Sequence, residues 1–95
     1  MEILSRQLAE RIVDRTMKAV NKNVNIMNEK GMIIASGDKS RVGTIHEGAV
    51  LALKRRSEFS IDEKQCKELN GVQEGTNIVI EFKENVIGVI GITGK

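Results

Sequence analysis

The amino-acid sequence predicts an α+β domain, in which an antiparallel sheet carries its helices on one face. Three patterns lead to this prediction. An apolar repeat of helical spacing opens the chain, two stretches of alternating residues form hairpins, and a second helical stretch lies between the hairpins. The chain has 95 residues, the length of one domain, so we expect residues 1–95 to fold as a single unit.

The first element is a helix over about residues 3–20. Leu4, Leu8 and Ile12 recur every four positions, which places them on one face of a helix. Further apolar residues make this face wider than packing on a sheet requires. We therefore expect the helix to contribute to a symmetric homodimer, although burial of the whole face within one chain is the alternative.

Two hairpins are expected from period-two alternation between turn residues. Gly31 closes the first turn, because glycine readily adopts positive φ, and residues 83–85 form the second turn. The last strand, VIGVIGIT, is apolar at nearly every position, which is typical of a central strand covered on both faces. The predicted strands are residues 24–28, 32–36, 76–82 and 86–93.

The segment between the hairpins contains a polar loop at residues 37–43 and then a helix. Thr44 and Glu47 fit a capping box, so the helix is expected to begin at Thr44. Residues 59–61 predict a short edge strand, and residues 62–70 predict a brief further helix. This order of elements is what a PAS-like or Cache-like sensor module would have.

Composition excludes several functions. Apolar residues make up 40% of the chain, and the net charge is only +2, too small to indicate nucleic-acid binding by the domain itself. No apolar run is long enough for a membrane helix. One His and one Cys, twenty positions apart, do not form a zinc site, and we expect neither a metal nor a cofactor. A single cysteine also favours the reducing cytoplasm.

The most informative residues surround the start of the second helix. Free amides at a helix N-terminus attract anions, and Gly43 would let the backbone approach one. Arg41 can donate two hydrogen bonds to a carboxylate, and His46 can donate from a ring nitrogen. Ser36 ends the strand that leads into this loop, while Glu47 would have to contact hydroxyl groups of the ligand. These residues predict a site for a small carboxylate.

Asn25 and Asn77 lie inside predicted strands, where asparagine is disfavoured. The two amides can point from neighbouring strands into one pocket, and Thr93 can join them. Each candidate has a structural alternative. Arg41 can be a solvated loop cation, His46 a packed histidine, and the asparagines edge or bulge residues.

Four stretches of this chain resemble a known family: AERIVDRTM (9–17), VNIMNEKGMIIASGDKSRVGTIHEGAV (24–50), EGTNIVIEF (74–82) and VIGVIGITG (86–94). They are similar to the sugar diacid recognition domain, the N-terminal sensory part of bacterial regulators that control the use of glucarate, galactarate, glycerate and related acids. The resemblance covers nearly the whole chain. Val79 departs from it, because the family usually has proline at that place.

The resemblance implies a non-catalytic ligand sensor that holds a glycerate-like or sugar diacid ligand between the sheet and the second helix. In such regulators a helix-turn-helix DNA-binding part lies further along the chain. We expect that part to lie outside these 95 residues, which are either a piece of a regulator or a stand-alone version of its sensor. Two alternatives stay open: a PAS-like dimerisation module without a ligand, and a small enzyme acting on organic acids.

Overall fold

The structure is a computed structural model that describes residues 4–55, 59–61 and 75–93. These residues form α1 (Arg6–Ala19), β1 (Val24–Asn28), β2 (Ile33–Ser36), a 3-10 turn (Lys39–Arg41), α2 (Glu47–Arg55), β3 (Phe59–Ile61), β4 (Gly75–Phe82) and β5 (Asn85–Thr93). The strands build one antiparallel sheet in the order β2-β1-β5-β4-β3. The predicted α+β class is confirmed. The expected helix over residues 62–70 lies outside the described residues.

The last strand is the centre of the sheet, as its apolar sequence predicts. β5 pairs with β1 on one side and with β4 on the other. Val89 in its middle is fully buried. This central position brings residues from both hairpins next to one another, although they are far apart in the sequence.

Both hairpin turns use positive φ angles. Gly31 has a φ of 85°, and the Asn28 side chain accepts hydrogen bonds from the amides of Lys30 and Met32 at 2.9 and 3.0 Å. The second turn is shorter than predicted, because its two central residues are Lys83 and Glu84. Their φ angles are 51° and 69°, which matches the twist of a two-residue hairpin turn but is uncommon outside glycine.

The prediction that the helices gather on one face of the sheet is wrong. Ala9 of α1 lies in one buried cluster with Val24 and Ile26, whereas Ala49 of α2 lies in a second cluster with Met27. Successive residues of a strand point to opposite faces, so the two helices cover opposite faces. The physical reason is that the central strands are apolar on both sides, and both sides must be removed from water.

The first helix begins later than its apolar repeat suggests. Ser5 caps it, because its hydroxyl accepts a hydrogen bond from the Leu8 amide at 3.1 Å. Leu4 precedes the helix and is buried. A Cβ atom on Gly88 would lie 2.6 Å from Leu4 Cδ2, so the glycine allows this close packing on the sheet.

The second helix begins at Glu47, so the predicted start at Thr44 is wrong. The Thr44 hydroxyl instead donates to the Arg41 carbonyl at 2.6 Å. Backbone hydrogen bonds join Gly43 and Thr44 to Ile33, at 2.8 and 2.9 Å. These bonds hold the segment along the outer edge of β2, which protects that edge from pairing with another chain and delays the helix.

Candidate ligand-binding site

A row of polar residues crosses the sheet on the face that α2 covers. The antiparallel register places Ser36 beside Asn25, Asn25 beside Gly91, and Gly91 beside Asn77. Paired residues of antiparallel strands point to the same face. Because Gly91 has no side chain, the Asn77 side chain can lie over the central strand between the two asparagine positions.

The Asn25 side chain is held in place by its own hydrogen bonds. It is 2% exposed, and its Oδ1 accepts from the Ser36 hydroxyl at 2.5 Å and from the Asn23 side-chain amide at 3.1 Å. The Ser36 hydroxyl in turn accepts from the Asp38 amide at 3.0 Å. Since Oδ1 is occupied by two donors, the Nδ2 amide is the group that Asn25 can offer to a ligand.

The Asn77 side chain differs, because its Oδ1 is buried and has no hydrogen-bond partner among the described residues. The residue is only 3% exposed. A Cβ atom on Gly91 would lie 2.7 Å from this oxygen and 3.2 Å from Met27 Cε, so glycine is required beneath it. Buried polar atoms without partners are rare in folded proteins, and each calls for an explanation.

His46 immediately precedes α2 and caps it. Its Nδ1 accepts from the Ala49 amide at 3.1 Å, and its own amide donates to the Gly31 carbonyl at 2.9 Å. Burial of the ring, followed by the positive charge of Arg41, lowers the pKa of His46 from 6.5 to about 4. The imidazole is therefore neutral at pH 7. With Nδ1 accepting, its proton is on Nε2, which can donate to a ligand.

Arg41 ends the 3-10 turn, and its side chain is half-buried. Asp38 caps this turn by accepting from the Ser40 amide at 3.1 Å and from the Ser40 hydroxyl at 2.6 Å. These bonds lower the pKa of Asp38, as does the charge of Arg41. The positive charge of Arg41 thus lowers the pKa of both Asp38 and His46.

A small cavity lies where these residues meet. Its volume is about 10 Å³, roughly the space of one water molecule. Four of the residues predicted for the site line it: Asn25, His46, Asn77 and Thr93. Its other lining residues are Gly75, Thr76, Gly91 and Ile92.

The other four residues predicted for the site, Ser36, Arg41, Gly43 and Glu47, do not line this cavity. Ser36 supports Asn25 from behind, and Glu47 is the first residue of α2. Gly43, with a φ of 93°, lines a different cavity of about 550 Å³ between the start of α1 and the edge of the sheet. Apolar side chains such as Met32 and Ile87 contribute to that larger cavity.

Other kinds of site find no support in the described part of the chain. No three His, Cys, Asp or Glu side chains there lie close enough together to hold a metal ion. Neither α1 nor α2 is long and apolar enough to cross a membrane.

The family of the chain follows from sequence comparison. Residues 4–95 match the family described as sugar diacid recognition. The chain belongs to the sugar diacid recognition family. This match confirms the family that the sequence stretches resemble.

Curated relatives of this sugar diacid recognition domain include the carbohydrate diacid regulator of Escherichia coli (strain K12), which is 40% identical over 92 residues. An uncharacterized protein of Haemophilus influenzae is 40% identical over 93 residues. Another uncharacterized protein, from Bacillus subtilis (strain 168), is 36% identical over 88 residues. These alignments cover 93–97% of this chain but only 24–25% of the relatives. The domain therefore spans about a quarter of each relative's length.

Gly91 is the residue of the sugar diacid recognition domain whose place in the site is not evident from the sequence. A glycine in an apolar strand indicates only a close approach by some other group. The structure shows that this group is the Asn77 side chain. The strand register places both asparagines beside Gly91, and knowing it would have identified Asn77 as the group that approaches Gly91. The register, however, is a property of the folded sheet.

Proposed function

We propose that this domain is a non-catalytic sensor that binds a small carboxylate, of the glycerate or sugar diacid class, between the sheet and α2. One observation carries the proposal: Asn25, His46 and Asn77 line one cavity, and the buried Asn77 side chain has an acceptor oxygen without a partner among the described residues. Polar groups in a protein core are normally hydrogen-bonded to one another. In this cavity, donors of Asn25 and His46 and an acceptor of Asn77 remain available to another molecule.

Each residue has a role that follows from its hydrogen bonds. The Nε2–H of His46 and the Nδ2 amide of Asn25 donate to the ligand's carboxylate, and Arg41 supplies positive charge. A carboxylate that is removed from water needs several hydrogen-bond donors. Uncharged donors meet this need without the free-energy cost of burying a second charge. Ser36 holds Asn25 in the required orientation. Asn77 and Thr93 contact hydroxyl groups of the acid, and the second Nδ2 proton of Asn25 donates to a hydroxyl while the first donates to the carboxylate.

The regulatory role is supported by the relative from Escherichia coli, whose name is carbohydrate diacid regulator. The domain would sense the acid in the cytoplasm, while DNA is bound by another part of such a regulator. The sheet order β2-β1-β5-β4-β3, with a helix over the polar row, supports a PAS-like sensor module. We assign no catalytic residue, because the polar row contains no pair of an acid and a base.

The small cavity favours a second candidate function. A volume of about 10 Å³ is far below the several hundred cubic ångströms typical of ligand pockets, so an acid binds only if the cavity walls separate. A dimerisation module whose pocket is filled by its own side chains would not need this movement. The two functions differ in one measurable property, which is whether any acid stabilises the domain.

Association through α1 is part of the proposal. Leu8 is 43% exposed although it lies on a helix that packs on the sheet. Ala19 is exposed on the same face, because positions i and i+11 of a helix align, whereas Ile12 packs partly against the core cluster of Ala9 and Val13. The exposed stripe of Leu8 and Ala19 can meet the same stripe of a second copy.

The ligand is best identified by thermal unfolding with a panel of hydroxy acids and diacids. An acid at one hundred times its Kd raises the free energy of unfolding by about 2.7 kcal/mol. If no acid in the panel raises the Tm, the sensor proposal fails and the dimerisation module is favoured.

Replacement of Arg41 by alanine tests the electrostatic part of the site. Arg41→Ala is expected to weaken binding of the acid found in the panel at least tenfold, because a charge-assisted hydrogen bond contributes about 1.5–3 kcal/mol. Lys39→Ala is the matched control, since Lys39 is an exposed cation of the same 3-10 turn. Calorimetric titration measures both. Equal affinities of Arg41→Ala and the wild type would remove Arg41 from the site.

A further inference from the structure

The Asn77 side chain has a hydrogen-bonding requirement that the other polar residues of the cavity do not share. Its Oδ1 is an acceptor, is buried, and has no donor among the described residues. Asn25 has the opposite arrangement, because its Oδ1 already accepts two hydrogen bonds and only its donor remains. His46 likewise offers a donor, since its Nδ1 accepts from the backbone.

The polar row therefore has donors at one end and an acceptor at the other. Asn25 and Asn77 both lie beside Gly91, on the two strands that flank it. Neighbouring strands are about 4.8 Å apart, so the two asparagine backbones are separated by roughly 10 Å. A ligand that contacts both side chains over Gly91 enters only if the cavity walls separate, and a carboxylate with the carbon next to it is the smallest group that can carry both the anion and a hydroxyl.

A carboxylate cannot satisfy Asn77, because an ionised carboxylate only accepts hydrogen bonds. A keto oxygen also only accepts. A hydroxyl group can donate to Oδ1, and on the carbon next to the carboxylate it would reach Asn77 while the carboxylate contacts Asn25 and His46.

We infer that Asn77 is a specificity-determining residue that selects a hydroxyl group on the carbon adjacent to the ligand's carboxylate. The inference rests on the proposed function and names the feature that the site recognises: a 2-hydroxycarboxylate group, common to short and long acids. It assigns Asn25 and His46 to the carboxylate and Asn77 to the hydroxyl.

Three acids of equal carbon number test this selection: lactate, propionate and pyruvate. They carry a hydroxyl, no oxygen and a keto oxygen, respectively, on the carbon next to the carboxylate. Calorimetry with the full chain should give tighter binding of one lactate enantiomer than of propionate or pyruvate by roughly ten- to hundredfold, because the weaker ligands leave Oδ1 without a donor. Tartrate and succinate are the corresponding diacids with and without 2-hydroxyl groups, and tartrate should bind more tightly than succinate.

Asn77→Leu removes the acceptor while keeping a side chain of similar size. If Asn77 recognises the hydroxyl, the variant loses the preference, so that lactate and propionate bind with affinities within about threefold of each other. If Asn77 had a purely structural role, the variant would bind both acids more weakly by the same factor, and the ratio of their affinities would stay unchanged. Asn21→Leu, at an exposed asparagine outside the row, is the matched control and should retain the wild-type ratio.

The outcomes separate the inference from the proposed function. Equal binding of lactate and propionate by the wild type overturns the inference and leaves the sensor proposal standing. A preference for lactate that persists in Asn77→Leu also overturns it. Absence of binding by every hydroxy acid and diacid overturns the proposed function itself.

Discussion

Asn77 and His46 are buried polar residues, and each places a hydrogen-bonding atom toward the cavity. Both residues were candidates for ligand binding from the sequence. Asparagine within a strand is unusual enough to mark Asn25 and Asn77, and the pairing of both with Gly91 explains why they line one cavity. The cap formed by His46 was not predictable, because histidine is not a usual capping residue. Thr44 carries the stronger capping sequence but makes another bond.

The stability of the domain should depend on pH through His46. Its pKa is about 4 in the folded chain against a usual 6.5, so the unfolded chain takes up the proton first as the pH falls. The stabilisation is complete above pH 6.5 and is lost as the pH falls toward 4. The loss approaches about 3 kcal/mol at the acid end of this window.

Urea unfolding of the wild type and of His46→Asn measures this dependence. Asparagine caps helices well but does not titrate, so the variant should unfold with little pH dependence between 6.5 and 5. His46 is the single histidine of the chain, which makes the comparison direct. Parallel pH profiles of the two proteins would contradict the prediction.

At the scale of elements, alternation and turn residues were sufficient to locate the strands. The four predicted hairpin strands agree with the structure to within one residue at each end. The start of α2 was not predictable, because bonds from Gly43 and Thr44 to Ile33 depend on a strand ten residues earlier in the chain. The start of α1 at Arg6 depends on Ser5, whose capping role was not recognised beside the stronger apolar repeat.

The proposed dimer is a prediction about α1. Leu8→Glu places a charge in the exposed stripe and should convert a dimer to a monomer, because burying that charge at an interface costs several kcal/mol. Gln7→Glu adds the same charge outside the stripe and is the control. Leu4→Glu is unsuitable, since Leu4 packs in the core against Gly88 and its replacement would unfold the domain.

Sedimentation equilibrium measures this association. We expect the wild type and Gln7→Glu to be dimeric at high micromolar concentration and Leu8→Glu to be monomeric. A wild type that is monomeric at that concentration would contradict association of this chain through α1.

At the scale of the whole molecule, the class and the central strand followed from the sequence, but the arrangement of the helices did not. Apolar residues on both sides of β5 predict that both faces are covered, yet periodicity alone does not say which helix covers which face. The burial of Val24 and Ile26 under α1 leaves the opposite face, with Asn25 and Met27, to α2. This division places the polar row beneath the helix that His46 caps.

Two cavities of the described residues differ in character and bear on the choice of the site. The polar cavity of about 10 Å³ lies on the face of α2, and the largely apolar cavity of about 550 Å³ lies beside the start of α1. Volume alone favours the larger one as a binding site. Chemistry favours the smaller one, because a carboxylate requires converging hydrogen-bond donors.

The most direct test is an NMR titration of the labelled domain with tartrate and with lactate, which follows backbone amides, asparagine side-chain amides and the imidazole of His46. We predict that the acid shifts the resonances of the Asn25 and Asn77 side-chain amides, the Gly91 backbone amide and the His46 ring. Shifts confined to Met32, Val42 and Ile87, which line the larger cavity, would contradict the proposed site. A spectrum unchanged at millimolar concentrations of both acids would contradict binding of 2-hydroxy acids altogether.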